Sequence, residues 1–207
     1  MEKQISVLFI LVVFIFTTFG CNKTVIKDDT QTIADKKDGQ KINCSKDTVY
    51  LVDKTSIENT TIYSCINELG RIEGKLVAFY TDTQKIKALA EFRKNLKVGK
   101  WVKWSKTGEI ISIENFNDRG QPHGYAIAWI NIGADKHCVI LELSKGVPVN
   151  LAYEYKNERI LKILKVKSPG RNGVEIQAPN MTEYEIDFLN ELYKEIISKE
   201  TEDLPIP

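Results

Sequence analysis

Within GKWVKWSKTG (residues 99–108), Trp101 and Lys103 stand at even offsets from Gly99, and Tyr80 likewise stands at an even offset from the earlier Gly74. In an extended strand such positions share one face, so an indole, a phenol and an ammonium group converge. Their chemistry is recognition. An exposed tryptophan beside lysines, with Lys100 adding charge, is a favoured anchor for a protein partner, and the same ring could equally stack on a sugar. Catalytic patterns are missing. Of the 2 histidines, His123 sits in a link beside Pro122, while His137 neighbours Cys138. Adjacent strand residues point to opposite faces, which makes His137 and Cys138 a poor pair of metal ligands. There is no Gly-x-Ser-x-Gly elbow and no phosphate loop ending in Gly-Lys-Ser/Thr. No carboxylate spacing singles out an acid and base. The expectation is a non-enzyme with no metal and no cofactor.

The elements that position these residues are announced by a repeat. With Gly74, Gly99 and Gly124 at position zero, the segments read GKLVAFYTD, GKWVKWSKT and GYAIAWINI. Three residues on stand Val77, Val102 and Ile127; five on stand Phe79, Trp104 and Trp129. NLAYEY continues the pattern if Asn150 takes the glycine place, adding Tyr153 and Tyr155. Each segment reaches a polar stretch and then a second apolar run: IKALAEF, IISIENF and CVILEL. Strand, turn and strand make a β-hairpin. A period of 25, 25 and 26 residues therefore predicts stacked hairpins. The glycine is expected where a turn needs a backbone angle that other residues resist, and Asn tolerates that region next best. No single hairpin can bury its aromatic face alone. The face opposite the aromatic column should carry Tyr80, Trp101 and Lys103, unless a C-terminal helix covers Trp101 and makes it core.

The residues G-K-W-x-x-W, the T-G-E turn, the strand ending in Asn-Phe and the Asn-Asp-Arg-Gly link resemble variant MORN repeats, as found in bacterial lipoproteins and in proteins described as antitoxins. The resemblance covers residues 74–164, with 99–124 its best unit; the third unit departs at NIGADKHCV, which is longer at the tip and lacks the glycine-centred turn. It implies a meandering β-sheet used for interactions and carries no catalytic residue across.

Residues 1–20 hold an apolar run of about a dozen residues, short for a permanent span but suited to a signal-peptide core. Gly20-Cys21 resembles a bacterial lipoprotein processing site, so Cys21 is read as the lipidated N-terminus, with an ordinary signal peptide as the alternative. Thr18 stands where that site usually has an aliphatic residue. Residues 21–43 are polar and aperiodic and read as a tether. Residues 44–180 then form the repeat domain, 181–200 an amphipathic helix and 201–207 a loose tail. Thr182 with Glu185 makes a capping box, and Phe188, Leu189, Leu192, Tyr193, Ile196 and Ile197 form its apolar stripe. Cys44 and Cys65 are the expected disulfide in an exported chain, and Cys138 is expected to pack as a small hydrophobe.

With 29 basic and 28 acidic residues the chain shows no signal for nucleic acid. Charge is polarised locally. Residues 85–106 hold 8 basic residues against Glu91, and residues 175–203 hold 9 acidic residues against Lys194 and Lys199. Either the two regions steady each other or the basic strip meets an acidic partner. The expected whole is a mainly β meandering antiparallel sheet with one C-terminal helix packed on it. It would be lipid-anchored in the bacterial envelope, with the outer membrane favoured and the body in the periplasm or at the cell surface. Its expected role is that of a protein-interaction or scaffold module, immunity-like in one form, with glycan binding as the alternative.

Overall fold

The computed structural model describes residues 26–27, 44, 48–55, 59–156, 159–165, 174–177 and 180–205. The signal segment, Cys21 and most of the tether lie outside them. The strands are β1 (Ile26–Lys27), β2 (Thr48–Thr55), β3 (Thr60–Asn67), β4 (Ile72–Tyr80), β5 (Ile86–Arg93), β6 (Leu96–Trp104), β7 (Ile110–Phe116), β8 (Gly124–Ile132), β9 (Asp135–Ser144), β10 (Val147–Lys156), β11 (Arg159–Lys165) and β12 (Val174–Gln177). They lie side by side in chain order as one 12-stranded antiparallel sheet, the meander that the repeat predicted. A single described helix, α1 (Glu183–Thr201), is started by the Thr182–Glu185 capping box. The repeats are the hairpins β4–β5, β6–β7, β8–β9 and β10–β11. The sequence pattern did not announce β1, which pairs Ile26 with Val52 and Lys27 with Leu51. Backbone pairing at a sheet edge needs no side-chain periodicity.

Gly74, Gly99 and Gly124 have φ of 79°, 64° and 83°. They do not close turns, however. Each sits in a strand whose register jumps. Ser64 pairs with Leu76 and Ile66 with Ile72; Leu89 pairs with Val102 and Glu91 with Val98. In both places the glycine strand has more residues than its partner, which is a β-bulge. The same jump surrounds Gly124, between the Ile113–Ile127 pair and the Phe116–Pro122 bridge. A fourth surrounds Asn150, between Pro148–Leu143 and Ala152–Leu141. The turns themselves are made by other means. Asn67 and Asn117 each fold a side-chain carbonyl back onto two backbone N–H groups, those of Leu69 and Arg71 and of Arg119 and Gln121.

A second, one-residue bulge recurs in the return strands. Phe79 pairs with Ile86 while Ala78 pairs with Ala88, leaving Lys87 extra. Ile111 and Leu161 are extra in the same way in β7 and β11. The bulge resets the alternation, so Ile86 and Leu89, Ile110 and Ile113, and Ile160 and Ile163 all reach one core at a spacing of three, not two. The β8–β9 hairpin pairs without a break from Gly124–Leu143 to Ile132–Asp135, and there the core residues Cys138 and Ile140 keep the simple spacing. This is the unit whose tip departs from the repeat.

That core lies on one face, between the sheet and α1. Val77, Phe79, Val102, Trp104, Ile127, Tyr153 and Tyr155 meet Leu189, Tyr193 and Ile196 of the helix, with Trp129 partly buried against them. The Tyr155 and Tyr193 rings lie 4.1 Å apart, and the Tyr155 hydroxyl donates to the Leu189 carbonyl at 2.9 Å. Such ring pairs are worth about 0.5–1.5 kcal/mol beyond the area they bury. The helix end is held by Glu200, which accepts from Asn115 Nδ2 at 3.1 Å and pairs with Lys100 Nζ at 3.2 Å. The helical stripe differs from expectation at Phe188, which is 58% exposed, because the helix turns its Leu189–Tyr193–Ile196–Glu200 side to the sheet. In the tail, Leu204 packs against the core. Cys44 and Cys65 are joined by a disulfide with Cα atoms 5.6 Å apart, a closure worth roughly 3 kcal/mol in the chain-entropy model. Cys138 is unbridged and buried, and burial pushes its thiol up to about 12.

The glycine bulges yield a direct test at Gly74, where an added Cβ would meet nothing within 4 Å. Gly74→Ala should therefore lower stability through backbone strain alone, by about 1–2 kcal/mol. Gly74→Asn should recover part of that loss, read from urea midpoints.

Candidate binding site on the second sheet face

Strand pairing places opposed residues on one face, so the register can be followed across the sheet. Ala78, Ala88, Lys103, Ser112, Ala128 and Val139 are successive partners from β4 to β9. This row lies on the face away from α1. Tyr80, Trp101 and Lys103 share that face, as their spacing predicted. Lys100 does not. Its ammonium donates to the Glu200 carbonyl at 2.9 Å on the helix side, so it belongs to the lock on α1 and not to the proposed surface. Here one basic residue of the strip does meet the acidic C-terminal segment.

Trp101 corrects both sequence readings. It is neither exposed nor under the helix: it is 8% exposed within a cluster of Ala90, Phe116, Leu76 and Phe92, all from β4 to β7. Phe92 and Phe116 stand 4.8 Å and 5.5 Å from its ring, Lys97 Nζ lies 4.4 Å above it, and its indole N–H donates to the Glu91 carbonyl at 3.0 Å. Large side chains on one face of the sheet bury each other here, and a lysine stem covers apolar surface while its ammonium stays wet. Tyr80 is buried too. Its hydroxyl donates to the Trp104 carbonyl at 2.8 Å, with Lys87 and Lys106 ammonium groups 5.5 Å and 5.7 Å from the ring centre.

Two polar groups on this face were not singled out from the sequence. Ser112 is 3% exposed, and its hydroxyl has no hydrogen-bond partner among the described residues. Glu114, opposite Trp101 in the register, is 6% exposed. Burial pushes its carboxyl up to about 7, against the pull of Lys103 and Lys97. The signal was present in ISIEN, where Ser112 and Glu114 flank the core residue Ile113. Only the pairing of β7 with β6 shows that they meet Lys103 and Trp101.

Farther along the same face, His137 Nδ1 lies 2.9 Å from one Glu154 oxygen and Lys162 Nζ 2.8 Å from the other. His137 and Cys138 do face opposite sides, since Cys138 lies in the helix-side core. The buried His137 and Glu154, together with Lys162, tie β9, β10 and β11 to one another. His123 is exposed. Among the described residues, no group of three His, Cys, Asp or Glu side chains is placed to hold a metal. At the hairpin tips, Asp82–Lys106, Glu109–Lys136 and Asp135–Lys156 pairs at 2.8, 3.0 and 2.7 Å link neighbouring hairpins. The lysine hydrogen bonds hold the Asp82 and Glu109 carboxyls below their usual range.

Glu114 gives the site a pH signature. Its carboxyl titrates near 4.5 when unfolded and near 7 when folded, so the folded state binds the proton more tightly. Stability is then full below about pH 4.5 and falls as pH rises through about 7. Glu114→Gln should be more stable than the parent at pH 8 by up to about 3 kcal/mol, and the gap should close at pH 4, as measured by urea unfolding.

No family model matches the chain, and no curated protein resembles it significantly in sequence.

Proposed function

We propose that this chain is a membrane-anchored envelope lipoprotein whose MORN-like hairpin sheet serves as a protein–protein interaction or scaffold module. The observation that carries the reading is the different content of the two faces. One is filled by the apolar side of α1, while the other holds Lys97 and Lys103 beside the buried Glu114, with Ser112 opposite Lys103. A stack of rigid hairpins is a suitable scaffold for such a surface, because strands hold side chains more precisely than loops do. The ring of Trp101 is covered by Lys97, which removes the stacking platform that a glycan-binding reading needs. An immunity-type partnership with a toxin is the specific form that the repeat resemblance suggests. The anchor rests on Gly20-Cys21.

In-cell crosslinking followed by mass spectrometry of the captured proteins tests the module. One protein should be recovered strongly and lost when Lys97 and Lys103 are both reversed to glutamate. Recovery of abundant envelope neighbours alone, unchanged by the reversal, would refute it. Cys21→Ala should move the protein out of the membrane fraction.

A further inference from the structure

We propose that the outward side of α1 is a docking surface for a basic amphipathic helix of a protein partner, with Tyr184 and Phe188 as its anchors and Asp187 and Glu195 as its charge selectors. The inference goes beyond the reading above, since it uses the other side of the molecule and needs neither the sheet-face lysines nor the anchor. α1 turns Leu189, Tyr193, Ile196 and Glu200 to the sheet, which leaves Tyr184 79% and Phe188 58% exposed. Neither ring belongs to a core cluster. Residues four apart on a helix are neighbours, so Tyr184, Phe188 and the partly buried Leu192 form one continuous row. Between them the two rings leave about 300 Å² in water, the size at which a contiguous patch on a monomer is often functional. Phe188 and Leu192 also border a shallow depression of about 450 Å³, with Glu191, Lys194, Glu195 and Ser198 around it.

Charge selects the partner. Residues 183–203 carry 8 carboxylates and 2 ammonium groups. Even with Lys100 counted, which reaches Glu200 from the sheet, carboxylates outnumber cations by more than two to one. Lys194 pairs with Glu191 at 2.7 Å, whereas Asp187 and Glu195 are exposed and enter no ion pair among the described residues. The negative charge also gathers at the unfavourable end of the helix. A C-terminal turn prefers cations beside its outward carbonyls, yet Glu200, Glu202 and Asp203 stand there against Lys199. Burial, followed by the Glu142, Glu195 and Glu200 carboxylates, raises the Tyr125 phenol above its usual range, so the negative field extends from α1 onto β9. A local preference broken in this way points to a use for the charge.

Shape narrows the choice further. A ring flanked by carboxylates holds a guanidinium or ammonium group twice, by the ring face and by the charge. The row is a ridge of the i, i+4 kind that interdigitates with the same ridge on another helix. From Tyr184 to Glu195 it is about 17 Å long, or about three turns. A partner helix with one apolar stripe and lysine or arginine beside it meets both demands. Nucleic acid and anionic lipid carry the same sign of charge as this surface and are disfavoured.

The test is binding of a labelled amphipathic peptide of about 15 residues, with leucines in one stripe and lysines and arginines beside it. The full chain is presented in phosphatidylcholine nanodiscs, and the signal from empty nanodiscs is subtracted. The peptide should bind, and Phe188→Ala should weaken it at least about tenfold, as loss of a central aromatic anchor does. Asp187→Asn combined with Glu195→Gln should weaken it about fivefold at low salt and flatten its salt dependence. Because these positions are exposed, the variants should keep the parent circular dichroism and melting midpoint. Absence of binding, an unchanged affinity in Phe188→Ala, or equal binding of an oligolysine without leucines would each overturn the docking surface. Intact peptide affinity in Phe188→Ala, together with lost self-association in sedimentation or lost binding to vesicles, would assign the patch to a second copy or to lipid and overturn it too. If cells yield a partner that depends on Lys97 and Lys103 but the peptide does not bind, the helix inference fails and the interaction module stands.

Discussion

The structure depends on a backbone irregularity repeated at the same place in three of the four repeat hairpins, β4–β5, β6–β7 and β10–β11. A β-strand alternates its side chains strictly, so any extra residue exchanges the two faces from that point onward. Lys87, Ile111 and Leu161 are such residues. Because of them, two apolar residues three apart in β5, β7 and β11 reach the same core. The wider bulges at Gly74, Gly99 and Gly124 occupy positive-φ backbone that glycine enters without a Cβ clash. Bulges also increase local twist, and Trp101 is held at 8% exposure by Phe92, Phe116 and Lys97 lying against its ring.

The two faces then solve different problems. Toward α1, aromatic and branched side chains are excluded from water in the ordinary way, and Glu200 locks the helix end through Lys100 and Asn115. On the other face, burial is lateral: rings lie against rings and lysine stems lie over them. Polar groups trapped there are perturbed. Glu114 is held near neutrality by desolvation although two lysines oppose the shift, so here burial outweighs charge attraction. A partner that restored charge or hydrogen bonding to such groups would gain what water cannot supply.

From the sequence alone, the period of 25 residues, the hairpins and the identity of one core face were legible. Val77 and Phe79, Val102 and Trp104, and Ile127 share parity within short segments, and local alternation is a property of the chain itself. The capping box was legible for the same reason, since its partners lie three residues apart. So was the place of Tyr80, Trp101 and Lys103 on the opposite face.

Tertiary structure decided what no local spacing encodes. It set the burial of Trp101, which depends on Phe92 and Phe116 arriving from neighbouring strands. It assigned Lys100 to the helix lock across a separation of 100 residues. It brought Glu114 and Ser112 beside Lys103 and Trp101 through the register of β6 and β7. Alternation along one strand tells which residues share a face. Which of them become neighbours, and which lose their water, is set by pairing between strands and by the bulges that shift it.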